Sequence, residues 1–64
     1  MNVETIRAYD IHRDCHVFIF RRGERTLFSA FSPEDEREWS SLRVFEDEMV
    51  KRANAYFDRE EARA

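Results

Sequence analysis

The chain has 64 residues, one Gly, one Pro and one Cys, and 11 Lys and Arg against 14 Asp and Glu, a formal net charge of −3. A chain this short forms one domain with a thin core, burying only about 60% of the surface its unfolded state exposes, so a large catalytic cleft is not expected. One cysteine excludes an internal disulfide and a four-cysteine zinc site.

Nowhere is there a run of about 18 apolar residues, and the opening MNVETIRAYD carries two acids, so neither a membrane span nor a signal peptide is expected. The composition reads as soluble and cytoplasmic. Six Phe, two Tyr and one Trp supply enough apolar surface for a folded core, against disorder.

In chain order, Val3, Thr5, Arg7, Tyr9 and Ile11 alternate with Glu4, Ile6, Ala8 and Asp10, which predicts a first strand ending near His12-Arg13-Asp14. Cys15–Phe20 and Thr26–Phe31 are runs of β-branched and aromatic residues around Arg22-Gly23-Glu24-Arg25, whose glycine suits a tight hairpin turn. The first half is therefore read as a three-stranded antiparallel meander over residues 1–31. At Ser32-Pro33 the period changes from strand to helix. Ser32 is a candidate N-cap, Pro33 fits the first helical position, and Glu34 and Asp35 put negative charge at the positive end of the helix dipole.

At about 100° per residue, Trp39, Leu42, Phe45, Met49, Val50, Ala53, Tyr56 and Phe57 share one arc of roughly 140°, with Val44 on the far side. An amphipathic helix over about residues 33–61 follows, within a helical half spanning 32–62, and Ser40-Ser41 is its weak point. Asp47→Lys51 and Glu48→Arg52 are acid-first i,i+4 pairs on its outer face. The fold class is thus α+β, ordered β-β-β-α, in a single domain over 1–64. Charge divides at the same place: residues 1–32 carry five basic and four acidic side chains, and residues 33–64 carry six and ten.

Two apolar surfaces look uncovered. A helix of about 28 residues is roughly 42 Å long and outruns strands of about 23 Å, so Met49, Val50, Tyr56 and Phe57 are a candidate dimer interface. Independently, Val17/Ile19 and Phe18/Phe20 point to opposite sides of the second strand, and one helix can cover only one side. A protein partner and a homodimer are therefore expected, and no membrane.

Three groups of side chains could carry chemistry. Asp10, His12, Asp14 and His16 would share a face of an extended chain beside Cys15, the kind of grouping a divalent metal accepts, but the spacing matches no metal motif and a turn would scatter it. No metal, cofactor or catalytic residue is assigned, and no enzymatic activity is expected. Arg13, Arg21, Arg22 and Arg25, interleaved with Phe18, Phe20 and Phe28, are the alternative nucleic-acid contact, although the acidic chain opposes phosphate affinity and makes direct nucleic-acid binding unfavourable. Glu34, Asp35, Glu36, Glu38, Glu46, Asp47 and Glu48 form a row of carboxylates along the helix, suited to a basic protein surface. Of these, Glu46 falls inside the apolar arc, so it needs an arginine from the sheet or a contact outside the chain.

In size, acidity and outline architecture, carried by those seven carboxylates, the chain is similar to small phage-encoded inhibitors of bacterial defence, the anti-CRISPR proteins among them. The resemblance implies a non-enzymatic inhibitor that mimics nucleic acid and blocks the DNA- or RNA-binding site of a host complex. No site residue carries over from it.

Overall fold

The computed structural model describes residues 2–63. Strands β1 (Glu4–Asp10), β2 (Cys15–Arg22) and β3 (Arg25–Phe31) form an antiparallel sheet in the order β1-β2-β3, followed by helices α1 (Asp35–Glu38) and α2 (Leu42–Arg63). The architecture is α+β with a β-meander and a long C-terminal helix, as the sequence predicts. No helix among the described residues is long and apolar enough to cross a membrane.

Each turn has a local cause. The β2–β3 hairpin closes on the pair Arg22↔Arg25 around Gly23-Glu24. Gly23 has φ +62° and Glu24 does not have a positive φ, the pattern of a type II′ turn with glycine first. Between β1 and β2 the Asp10 carboxylate accepts the backbone N–H groups of His12 (3.0 Å) and Arg13 (3.2 Å). Asp14, at φ 53°, completes that loop in the left-handed region and accepts a hydrogen bond from the Tyr9 hydroxyl.

The register assigns every strand residue to a side. His16, Phe18, Phe20 and Arg22 of β2 share the helix side with Thr5, Arg7 and Tyr9 of β1 and with Leu27, Ser29 and Phe31 of β3. Phe18, Phe20, Phe31, Phe45, Ala53 and Phe57 form the buried core, with Val3, Leu27, Trp39, Leu42, Met49 and Val50 packed around it. The aromatic rings interlock: Phe45 meets Phe31 at 4.9 Å, Trp39 at 5.3 Å and Phe18 at 5.9 Å between centroids.

The single helix expected over 33–61 is two helices. Trp39 is extended (φ −110°, ψ 142°) and ends α1, while Ser41 starts α2, its carbonyl accepting the Phe45 N–H and its Oγ the Val44 N–H at 3.1 Å. Serine competes well for a cap and poorly for a helix interior, and the break turns the Trp39 ring edge-on to Phe45. Ser32 also caps in a different sense from the one expected. Its N–H and Oγ–H both donate to the Asp35 carboxylate, at 2.8 and 2.9 Å, and its carbonyl accepts the Asp35 and Glu36 N–H groups. These two donors hold the Asp35 carboxyl below the ordinary carboxylate pKa.

Candidate binding surfaces

At 22 residues α2 is about 33 Å long, and it lies over β2 and β3 rather than centrally over the sheet. The helix side of the edge strand β1 is therefore left half open. Between β1 and the first half of α2 runs a groove of about 630 Å³, floored by Leu42 and Val50 and walled by Thr5, Arg7, Arg43, Glu46 and Asp47. Among the described residues β1 pairs only with β2, so its outer edge presents backbone N–H and C=O groups that no other described strand pairs, along that groove. Arg7 reaches over to Glu46 at 2.7 Å, and the Glu46 side chain is 13% exposed. Glu46 has thus found the arginine its position inside the apolar arc calls for.

The other side of the sheet carries no helix. By register Ile6, Ile19 and Phe28 lie in one row across the three strands, and Ala8, Val17 and Ala30 lie in the next. Phe28 is 69% exposed, Ile6 36%, and Val17 and Ile19 are half-buried. The rows are bounded at one end by Glu4 and Arg21, 3.8 Å apart, and at the other by Asp10 and Arg13, also 3.8 Å apart.

The expected carboxylate row is dispersed. The break at Trp39–Ser41 puts Glu34, Asp35, Glu36 and Glu38 on or beside α1, off the axis of Glu46, Asp47 and Glu48. Three of the seven are engaged within the chain: Asp35 by Ser32, Glu46 by Arg7, and Glu48 by Arg52 at 3.1 Å. Glu34, Glu36, Glu38 and Asp47 make no ion pair among the described residues.

The arginine surface does not assemble either. Arg13 lies in the β1–β2 loop, roughly 25 Å along β2 from the hairpin tip that carries Arg22 and Arg25. Arg21 points to the open side and Arg22 into the core side. Arg22 is 7% exposed: its guanidinium donates to Asp58 at 2.6 Å and to Asn54 at 2.7 Å, lies 3.6 Å from Glu61, and sits 5.7 Å above the Phe57 ring. These contacts turn its charge inward, away from the hairpin surface that Arg25 shares. Asn54 Oδ1 also accepts the Val3 N–H at 3.0 Å, tying the start of the chain to α2. That role, like those of Arg7 and Arg43, is invisible to periodicity, because it depends on where the helix crosses the sheet.

The helix residues expected at a dimer interface are mostly covered. Phe57 is 1% exposed, Met49 and Val50 are half-buried against the core, and Tyr56 is 39% exposed. The cause is their place on α2, on the face packed against the phenylalanines of the sheet. The Asp/His group is also split by its turn: His16 stacks edge-on to Tyr9 at 5.1 Å, Asp10 holds the loop backbone, and Cys15 is buried on the open side. Among the described residues no three His, Cys, Asp or Glu side chains are placed to share a metal ion.

Comparison with protein-family models, with curated proteins and with solved structures finds no match to the chain.

Proposed function

We propose that the protein is a small non-enzymatic binding module, an inhibitor or adaptor, that holds an extended segment of a protein partner along β1. The observation that carries this reading is the unpaired outer edge of β1 beside the groove floored by Leu42 and Val50. A strand added to that edge gains main-chain hydrogen bonds, and alternate side chains enter the groove, where apolar floor and mixed charge select them. Two arginines against two acids make the groove a poor phosphate track and a good surface for a peptide.

Selection from a random peptide display library is the test. Enriched peptides are expected to shift the backbone NMR resonances of β1 and the first half of α2, and to lose binding on Arg43→Glu with Asp47→Lys, both exposed positions. Shifts confined to other elements, or binding indifferent to that double variant, would count against the groove.

A second reading is docking of the acidic side on a basic surface of a nucleic-acid-handling complex. It draws its support from Glu34, Glu36, Glu38 and Asp47, which stay exposed and without an ion pair among the described residues. Its separate test is Glu34→Lys with Glu36→Lys and Glu38→Lys, which should abolish capture of such a complex and leave peptide binding in the groove intact.

A further inference from the structure

We propose that the open side of the sheet is a homodimer interface in which the Phe28 ring of each protomer fills a hollow beside Ala30 of the other. The occupant is a second copy of this chain because the surface is complementary to itself. One row across the strands is large (Ile6, Ile19, Phe28) and the adjoining row is small (Ala8, Val17, Ala30). Phe28 is the knob, 69% exposed. Phe28 itself forms one wall of a hollow of about 460 Å³ that is lined further by Asp10, Arg13, Cys15, Val17 and Ala30.

Two sheets packed face to face keep their strands within about 30° of parallel or antiparallel. A two-fold axis in the interface plane can then run across the strands or along them. Across the strands, it sets the large row of each copy over the small row of the other, with Phe28 over Ala30, Ile19 over Val17 and Ile6 over Ala8. Facing layers of unequal side chains interdigitate and leave no void. Along the strands, the same axis sets Phe28 over Ile6, stacks Arg21 on Arg21, and leaves alanines facing alanines across a gap. Packing favours the axis across the strands. At the ends of the rows this axis brings Glu4 of one copy over Asp10 of the other, each acid with an arginine beside it, Arg21 and Arg13, at 3.8 Å.

The surface left bare is of a fitting size. The chain exposes 4972 Å², whereas compact monomers of 7.8 kDa expose about 4,400 Å². The surplus of about 600 Å², taken over the whole chain, approaches the roughly 800 Å² per partner of a standard interface. In this arrangement both α2 helices lie outside and both β1 edges stand on one side, so the two grooves stay open and the inference does not depend on what occupies them.

Sedimentation equilibrium on the full chain tests the proposal. The expected result is a mass moving from one to two copies of 7.8 kDa as concentration rises through the micromolar range. Phe28→Ala empties the hollow and Ala30→Phe fills it, and each is expected to weaken association by at least about tenfold. The double variant Phe28→Ala/Ala30→Phe returns a knob to face a hole and is expected to recover most of that loss. Both positions are exposed, so far-ultraviolet dichroism should stay that of the parent. In a half-labelled sample, filtered NOEs are expected between the Phe28 ring of one copy and the Ala30 methyl of the other. A wild type that stays monomeric at high micromolar concentration, single variants that associate like the parent, or a double variant no better than the singles would each overturn the proposal.

Discussion

The two sides of one strand, β2, have opposite fates. On the helix side Phe18 and Phe20 are each 1% exposed, and the one charge among them, Arg22, is enclosed by Asp58, Asn54, Glu61 and the Phe57 ring. On the open side Val17 and Ile19 are only half-buried and their neighbour Phe28 faces solvent. Both sides are apolar enough to be cores, yet the chain has helix for one. A strand that is apolar on both faces normally belongs to a sheet covered on both faces. The difference teaches that β2 is apolar on both faces while α2 covers one of them.

The largest test of that contrast compares two phenylalanines. Phe57→Ala is expected to cost about 3–5 kcal/mol, most of the stability of a domain this small, because it opens a cavity under α2. Phe28→Ala, measured in dilute solution where the chain is monomeric, is expected to cost less than about 0.5 kcal/mol, as for an exposed site. Chemical denaturation reads both. Equal losses would mean that the two sides are equally enclosed and would remove the basis for the contrast.

A smaller effect concerns the charge enclosed on the covered side. Asp58 and Glu61 are more than half exposed, while the Arg22 side chain is 6% exposed. Removing one carboxylate leaves the guanidinium a second, so Asp58→Asn should cost no more than about 1 kcal/mol. Asp58→Asn with Glu61→Gln takes both of these carboxylates from the buried guanidinium, and about 2 kcal/mol is expected, more than the two single losses together. A strictly additive pair would show that Arg22 does not rely on these partners.

Less again is expected at Glu46. Its partner Arg7 is 68% exposed, so the pair contributes at most about 1 kcal/mol. Glu46 sits where the apolar arc of α2 would take a leucine, and Glu46→Leu is expected to change stability by less than about 0.5 kcal/mol in either direction. A larger loss in thermal melting would give the Arg7–Glu46 pair a structural role beyond its exposure.

What the sequence made legible was local. The hairpin at Gly23, the change of period at Ser32-Pro33 and the doubly apolar β2 all follow from side chains within a few residues of one another. The angular position of Glu46 even required an arginine from the sheet. The identity of that arginine was not readable, because it takes both the β1–β2 register and the line along which α2 crosses the sheet to put Arg7 beside Glu46. Phe57 was misplaced for the same kind of reason: which helix residues the sheet covers depends on the line along which α2 crosses it. The groove beside β1 comes from α2 lying off-centre, a property of no single segment. The arginines Arg21 and Arg22, neighbours in sequence, went to opposite sides because strand side chains alternate.

The smallest effect tests the joint between the two halves, where the sheet side ends and the helical side begins. The Ser32 N–H and hydroxyl donate to the Asp35 carboxylate and hold its pKa below the ordinary value of 3.8. A carboxyl whose pKa is lower folded than unfolded binds fewer protons in the native state, so its contribution is full above the unfolded pKa and is lost as pH falls through the folded one. Stability should therefore decline below about pH 4 in part through this joint, and in Asp35→Asn that part of the acid dependence should vanish while the neutral-pH stability drops slightly. Because the Asp35 carboxylate accepts from Ser32 at the head of α1, the change should appear in hydrogen exchange of α1 and leave the Arg22 cluster and the open side of the sheet untouched. An acid profile identical in Asp35→Asn and parent would mean that the joint does not hold α1 to the end of β3, and that the packing of Trp39 on Phe45 does so alone.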